Sequence, residues 1–305
     1  MFRRLALLLL LGLFAVPAAA QQLPTLNIAG PPAAEPDVRR LQAMNLDRLS
    51  GAVALSGLAD PGPPIPVFVE PEGTELATST PSWVAGFATG ADGVVVVFPA
   101  RVGAYPYDSL EELVQHEVAH ILIDRAAGGR PVPRWLHEGI AMTAGERWGL
   151  EDNWRFAVDL AKVGEVRIDD LDRLFANPAS VHHAYAVSGS FVHFLLRRHG
   201  PEVTSALLAE LASGRGFAEA FVDVTGETLG VAEEEFWRRQ TFWFRWLPLV
   251  SSSTVLWIGV TALALLAFVR RRQRDAELEA GWEEAEERAA AAAAERAEKR
   301  REWIH

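Results

Sequence analysis

His116-Glu117-Val118-Ala119-His120 places two imidazoles four residues apart, with a carboxylate beside the first. On a helix, residues four apart lie one turn above the other on one face. Both imidazoles can then reach one cation, while Glu117, about 100° round the helix, addresses a water held there. Such a set is suited to hydrolysis by a metal-activated water, with the carboxylate moving the proton. Leu113, Val114, Val118, Ile121 and Leu122 surround the motif with apolar bulk, so the helix is expected to be largely buried. Burying unpaired His and Glu is costly, and metal ligation removes that cost. A catalytic zinc takes three protein ligands and leaves one position to water, so a third ligand is sought downstream. The chain has no Cys, which leaves His and carboxylate as the available ligand types.

The position of the third ligand separates the zinc-peptidase families. A metzincin pattern requires Gly and His where Ile123 and Ala126 stand, and a thermolysin-like second helix would carry an acid where Met142 stands. In contrast, Trp135-Leu136-His137-Glu138-Gly139-Ile140-Ala141 resembles the WLxEGxA segment of the aminopeptidase branch of the gluzincins and of the related peptidase MA-like domains. The resemblance covers roughly residues 81–240. It implies Zn2+ held by His116, His120 and Glu138, with Glu117 as general base and then proton donor. The family separates its second His from this Glu by eighteen residues, whereas residues 121–137 make seventeen here. Tyr185-Ala186-Val187-Ser188-Gly189 resembles the family's Tyr-x-x-Gly/Ser segment, in which the hydroxyl stabilises the oxyanion. The resemblance thus gives Tyr185 a catalytic role, beside the plainer reading of a core Tyr bonded to a carbonyl. The family's aminopeptidases hold the substrate amine with an acid in a Gly-Ala-Met-Glu-Asn segment. Trp83 to Phe98, the corresponding region, contains no Glu, so an endopeptidase is expected rather than an aminopeptidase.

The elements that would position these residues follow from periodicity. Pro133 opens a helix through 148, and Gly139 and Ala141 would let it pack against the HExxH helix at 109–125. Further helices are expected at 37–50, 153–163, 169–175, 184–199, 201–212 and 229–239, with Asp169 and Asp170 as caps. Strands are expected at 66–70 and 93–98. The unbroken β-branched run Val94-Val95-Val96-Val97 suits burial on both faces, and this strand is expected to line the cleft and pair with substrate backbone. Strands first and helices after give an α+β class: a small N-terminal sheet packed on a helical half carrying the HExxH helix, a zincin-like arrangement. Asp124, four residues after His120, suits either orientation of an imidazole or a solvated turn. His137, His182 and His183 are candidates for the cleft wall, and Tyr105 and Tyr107 sit in a loop just before the helix.

Outside this domain, residues 1–20 have the layout of a signal peptide, Arg3 and Arg4 followed by an apolar run and Pro17-Ala18-Ala19-Ala20. Cleavage after Ala20 and retention as an anchor both send the next segment across a membrane. Residues 21–36 carry four prolines and read as an extended linker, with the peptidase-like domain at 37–240. Residues 249–269 hold no charge and are long enough for a transmembrane helix. Arg270, Arg271, Arg272 and Arg274 follow and aromatic residues precede, which puts the C-terminus in the cytoplasm and the domain outside it, in a periplasm or equivalent. Residues 270–305 form a charged tail, expected to be a solvated helix and a possible partner site. A net charge of −11 argues against a nucleic-acid partner. The expected partners are a peptide or protein substrate and the membrane. A non-catalytic membrane-anchored scaffold on the same fold is the competing reading.

Overall fold

The computed structural model describes residues 22–90, 93–103, 107–145, 165–177, 179–251 and 257–274, with Trp282, Arg288 and Arg296 beyond. The expected signal segment, the helix at 153–163, Tyr105 and nearly all of the tail helix lie outside this set. The chain divides into two compact units, Met1–Arg239 and Gln240–His305.

The first unit is α+β, with a small mixed sheet and a majority of helix. Its strands are Leu26–Ala29 (β1), Ile65–Val69 (β2), Gly86–Thr89 (β3) and Val94–Val97 (β4), in the order β1-β2-β4-β3. β1, β2 and β4 run parallel, and β3 folds back antiparallel on β4 with Phe87 opposite Val96. Ile65, Val67 and Val69 alternate into the core, as do Val95 and Val97. Val96 and Phe98 are buried in a smaller cluster with Ala77, so β4 is covered on both sides as its β-branched run requires.

Two expectations about this half are corrected. The stretch expected as a linker contains β1, because Leu26 and Ile28 alternate inward and Leu26 to Ala29 pair in register with Ile65 to Phe68; ordered structure therefore begins well before Asp37. The helix expected at 37–50 is split into Glu35–Gln42 (α1) and Ser50–Ser56 (α2). Asn45 accepts a hydrogen bond from the Asp47 amide at 3.0 Å and turns the chain into a short 3-10 segment between them. Glu75–Ser79 (α3) lies between β2 and β3.

The helical half begins with Leu110–Ala126 (α4), which packs on β3 and β4. Ser109 accepts from the Glu112 amide and Glu112 accepts from the Asp108 amide, a reciprocal cap at the start of the helix. Buried residues ring α4 on every side, which marks a central helix. Arg134–Ala144 (α5) follows Pro133, whose carbonyl accepts from both Leu136 and His137 amides. Leu171–Phe175 (α6) and Val181–His199 (α7) come next, then Val203–Ala212 (α8), Phe217–Thr225 (α9) and Leu229–Ser251 (α10). α9 was not foreseen; it ends at Gly226, whose φ of 77° is the left-handed stop that favours glycine. Asp170 precedes α6 but makes no side-chain cap.

Gly139 serves a different partner from the one expected. A Cβ there would stand 2.5 Å from the Ser188 carbonyl oxygen and 2.5 Å from Val192 Cγ2, so its lack of a side chain brings α5 against α7 rather than against α4.

In the second unit, residues 257–274 are helical and carry exposed apolar side chains from Trp257 to Val269, followed by the Arg block. No helix among the described residues is long and apolar enough to cross a membrane. The span expected at 249–269 includes residues 252–256, which lie outside the described set.

Candidate metal centre and cleft

α4 presents His116, Glu117 and His120, and α5 brings Glu138 to the same point. His116 Nε2 and His120 Nε2 lie 3.0 Å apart. Glu138 Oε2 is 3.4 Å from the first and 3.5 Å from the second. A tetrahedral site with bonds of about 2.0–2.1 Å has edges of about 3.3 Å, so these spacings fit three corners of one. Glu138 Oε2 supplies an independent test of fit: it is buried and accepts no hydrogen bond. A buried carboxylate oxygen without a donor is costly, and a cation held by His116, His120 and Glu138 removes that cost. Burial alone would push Glu138 up, but the imidazoles of His120 and His116 outweigh it and hold the carboxyl well below the usual carboxylate range. Glu138 is therefore charged and ready to ligate.

Glu117 is also buried, on the adjoining part of α4, and has a different electrostatic setting. Burial pushes its carboxyl up to about 7, with His120 pulling down and Glu138 adding to the rise. Two carboxyls in one site are thus driven apart, one held charged and the other raised toward neutral pH.

Asp124 and His137 form a chain behind His120. His137 Nδ1 lies 2.7 Å from His120 Nδ1, and its Nε2 lies 3.0 Å from Asp124 Oδ1. The two rings are nearly parallel, at 8°. The Asp124 carboxylate accepts only, so His137 donates from Nε2 and keeps Nδ1 as an acceptor. His120 then donates from Nδ1, which leaves its Nε2 lone pair aimed at His116 and Glu138. Asp124 thus orients an imidazole, but through His137 rather than directly.

Tyr185, in the second turn of α7, lies with its ring 6.3 Å from His116 and 5.4 Å from Phe175. Burial first, then the charges of Glu138 and Glu117, hold the phenol well above its usual range and keep it a donor. Tyr107 approaches His116 from the loop before α4, with ring centroids 5.0 Å apart.

These residues open into a cleft of about 540 Å³. His137 and His182 line it as expected, whereas His183 is buried in α7 and does not. Ser82 to Ala88 form one wall, so the strand at the cleft is β3. The expectation that β4 would offer a free edge is corrected, since β4 has β2 on one side and β3 on the other. Gly and Ala make up half of Gly-Phe-Ala-Thr and dilute the strand preference of Phe and Thr, which is why β3 was not read from the sequence. Arg134 was also missed. Its sequence signal was a cation at the first position of a helix, where the macrodipole favours acids.

No curated protein matches this chain. The family model described as Peptidase MA superfamily matches residues 52–242, which take in α4, α5 and α7 and every residue converging on the site. With more than half of its length matched and the expected ligands gathered at one point, this chain belongs to the Peptidase MA superfamily.

Proposed function

We propose that the protein is a membrane-anchored, zinc-dependent endopeptidase. The observation that carries this reading is the convergence of His116, His120 and an otherwise undonated Glu138 Oε2, with the buried Glu117 beside them.

His116, His120 and Glu138 would hold the ion, and a zinc ion there supplies Lewis acidity to a water and to the scissile carbonyl. Glu117 takes the water's proton on its carboxylate and later returns it to the leaving amine. Its carboxyl, held near 7 in the protein alone, is shifted toward the charged form by a nearby cation, which suits a base at neutral pH. The Tyr185 phenol donates to the oxygen on which negative charge develops. Asp124 and His137 keep the His120 proton on Nδ1 throughout. β3 offers an extended substrate its outer edge, so that backbone hydrogen bonds fix the chain across the site. Endopeptidase specificity is supported by the acids that line the cleft among the described residues: Glu117, Asp124 and Glu138 are each engaged at the site or by His137, and none of the three is placed as an amine clamp.

Export by residues 1–20 and a span at 249–269, with the Arg block inside, would place this cleft outside the cytoplasm and the tail within it. Zinc content of the purified protein and hydrolysis of acetyl-blocked peptides test the reading together. Stoichiometric zinc and turnover lost in Glu117→Gln are expected, and equal turnover in both proteins would exclude the base. Extraction of membranes at alkaline pH tests the anchor, which predicts retention in the pellet.

A further inference from the structure

We propose that Arg134 is a carboxylate receptor beside the metal centre, and that the cleft selects substrates carrying a carboxylate close to the scissile bond. The inference rests on the peptidase reading above and extends it to the class of substrate.

Among the described residues two arginines line the cleft, Arg101 and Arg134. The Arg101 side chain is buried and its donors are fully used. It donates to both Glu72 carboxylate oxygens and to the carbonyls of Ala77, Thr80, Pro81 and Val84, and so pins the loop leading into β3. Arg134 differs in each respect. Its side chain is 48% exposed, and its Nε stands 4.0 Å from Glu138 Oε1, too far for a hydrogen bond. Among the described residues its five N–H donors meet no acceptor.

Its placement is nevertheless held. The guanidinium lies over the Phe175 ring, 4.5 Å from the centroid, and the same ring meets Tyr185 on edge. Phe175 itself is fixed, at 2% exposure. A planar fork lying on a rigid aromatic platform loses little entropy when it binds. The helix dipole gives no reason for the residue, since a cation at the first position of α5 opposes it. One turn before a ligand and on the same face of α5, Arg134 reaches groups within about one residue of the reacting carbonyl. A guanidinium with its donors open pairs bidentately with a carboxylate. That carboxylate is either an Asp or Glu side chain or a free C-terminus.

The test uses full-length protein, zinc-loaded and carrying Glu117→Gln so that peptides bind without being cut. Short acetylated and amidated peptides with one Glu are compared with their Gln counterparts, and the Gln peptide is compared with its free-acid form. Binding about tenfold tighter is expected for the carboxylate member of one pair, as for hydrogen bonds to a charged group. A Glu-over-Gln preference identifies a side chain, and a free-over-amide preference identifies a chain terminus and replaces endopeptidase by carboxypeptidase action. Adding Arg134→Gln should bring the ratio near one, while Arg134→Lys keeps part of it through charge without the fork. Equal binding within every pair overturns the proposal, as does a preference that survives Arg134→Gln. Weakened zinc affinity in Arg134→Gln with the ratio intact also overturns it, since Arg134 then serves Glu138 alone. A preference that follows Arg134, with no peptide cut by the protein retaining Glu117, sustains the anion site and refutes the peptidase reading instead.

Discussion

Replacing Glu117 by Gln in the chelated protein should stabilise it, and much more at pH 8 than at pH 5. Burial raises the Glu117 carboxyl from 4.5 to about 7. Between those values the native state holds a proton that the unfolded chain has released, so stability falls as pH rises through that window and is lowest above 7. The full penalty is about 3 kcal/mol, because each tenfold change in proton affinity is worth about 1.4 kcal/mol. Most of it is absent at pH 5, which leaves a pH-dependent part of about 2 kcal/mol. Gln carries the burial without the charge, so the melting temperature of Glu117→Gln should rise relative to wild type by about 4–8 °C more at pH 8 than at pH 5. Glu138 does not blur the comparison. Its carboxyl is held below its ordinary value, so its contribution is complete above the ordinary carboxylate range and is lost only as pH falls below it. Thermal unfolding followed by circular dichroism at the two pH values measures the difference. An offset that is the same at both, or larger at pH 5, would refute the assignment of Glu117 as a carboxyl kept from water. Zinc should remove most of the difference, because a nearby cation favours the carboxylate.

Tyr185→Phe should lower kcat by about 100-fold or more while zinc content stays unchanged, as for loss of one oxyanion donor, and steady-state kinetics with metal analysis separates the two. His137→Phe should weaken zinc binding by about 10–100-fold in competition with a chelator. His137→Asn should recover most of that, since the amide oxygen can accept the His120 Nδ1 proton; equal loss in both variants would show that the ring serves packing alone. Gly139→Ala places a methyl 2.5 Å from the Ser188 carbonyl, so α5 and α7 must move apart at a cost of about 1–3 kcal/mol. A lowered melting temperature and weaker zinc binding should appear together, because α5 also carries Glu138.

The sequence by itself named the three candidate ligands and the helices that bring them together. His116 and His120 are linked by the helical repeat, a local constraint that needs no tertiary information. Glu138 was legible through the resemblance of Trp135 to Ala141 to the WLxEGxA segment, not through a local constraint of the kind that links the two histidines. The run at 94–97 was recognisable as a strand because β-branched residues state their preference without help.

What the tertiary structure alone decided lies wherever a partner distant in sequence sets the role. β1 and β3 are strands because β2 and β4 lend them hydrogen bonds, not because Leu-Asn-Ile-Ala or Gly-Phe-Ala-Thr prefer to extend. Gly139 proved to be the seat of Ser188 rather than of α4. Asp124 and His137, thirteen residues apart, became one proton-ordered chain only when α4 and α5 met. The contrast between Glu117 and Glu138 has the same origin. Both are carboxyls in a buried site, and only the placement of two imidazoles around one of them holds it below the usual carboxylate range while burial raises the other.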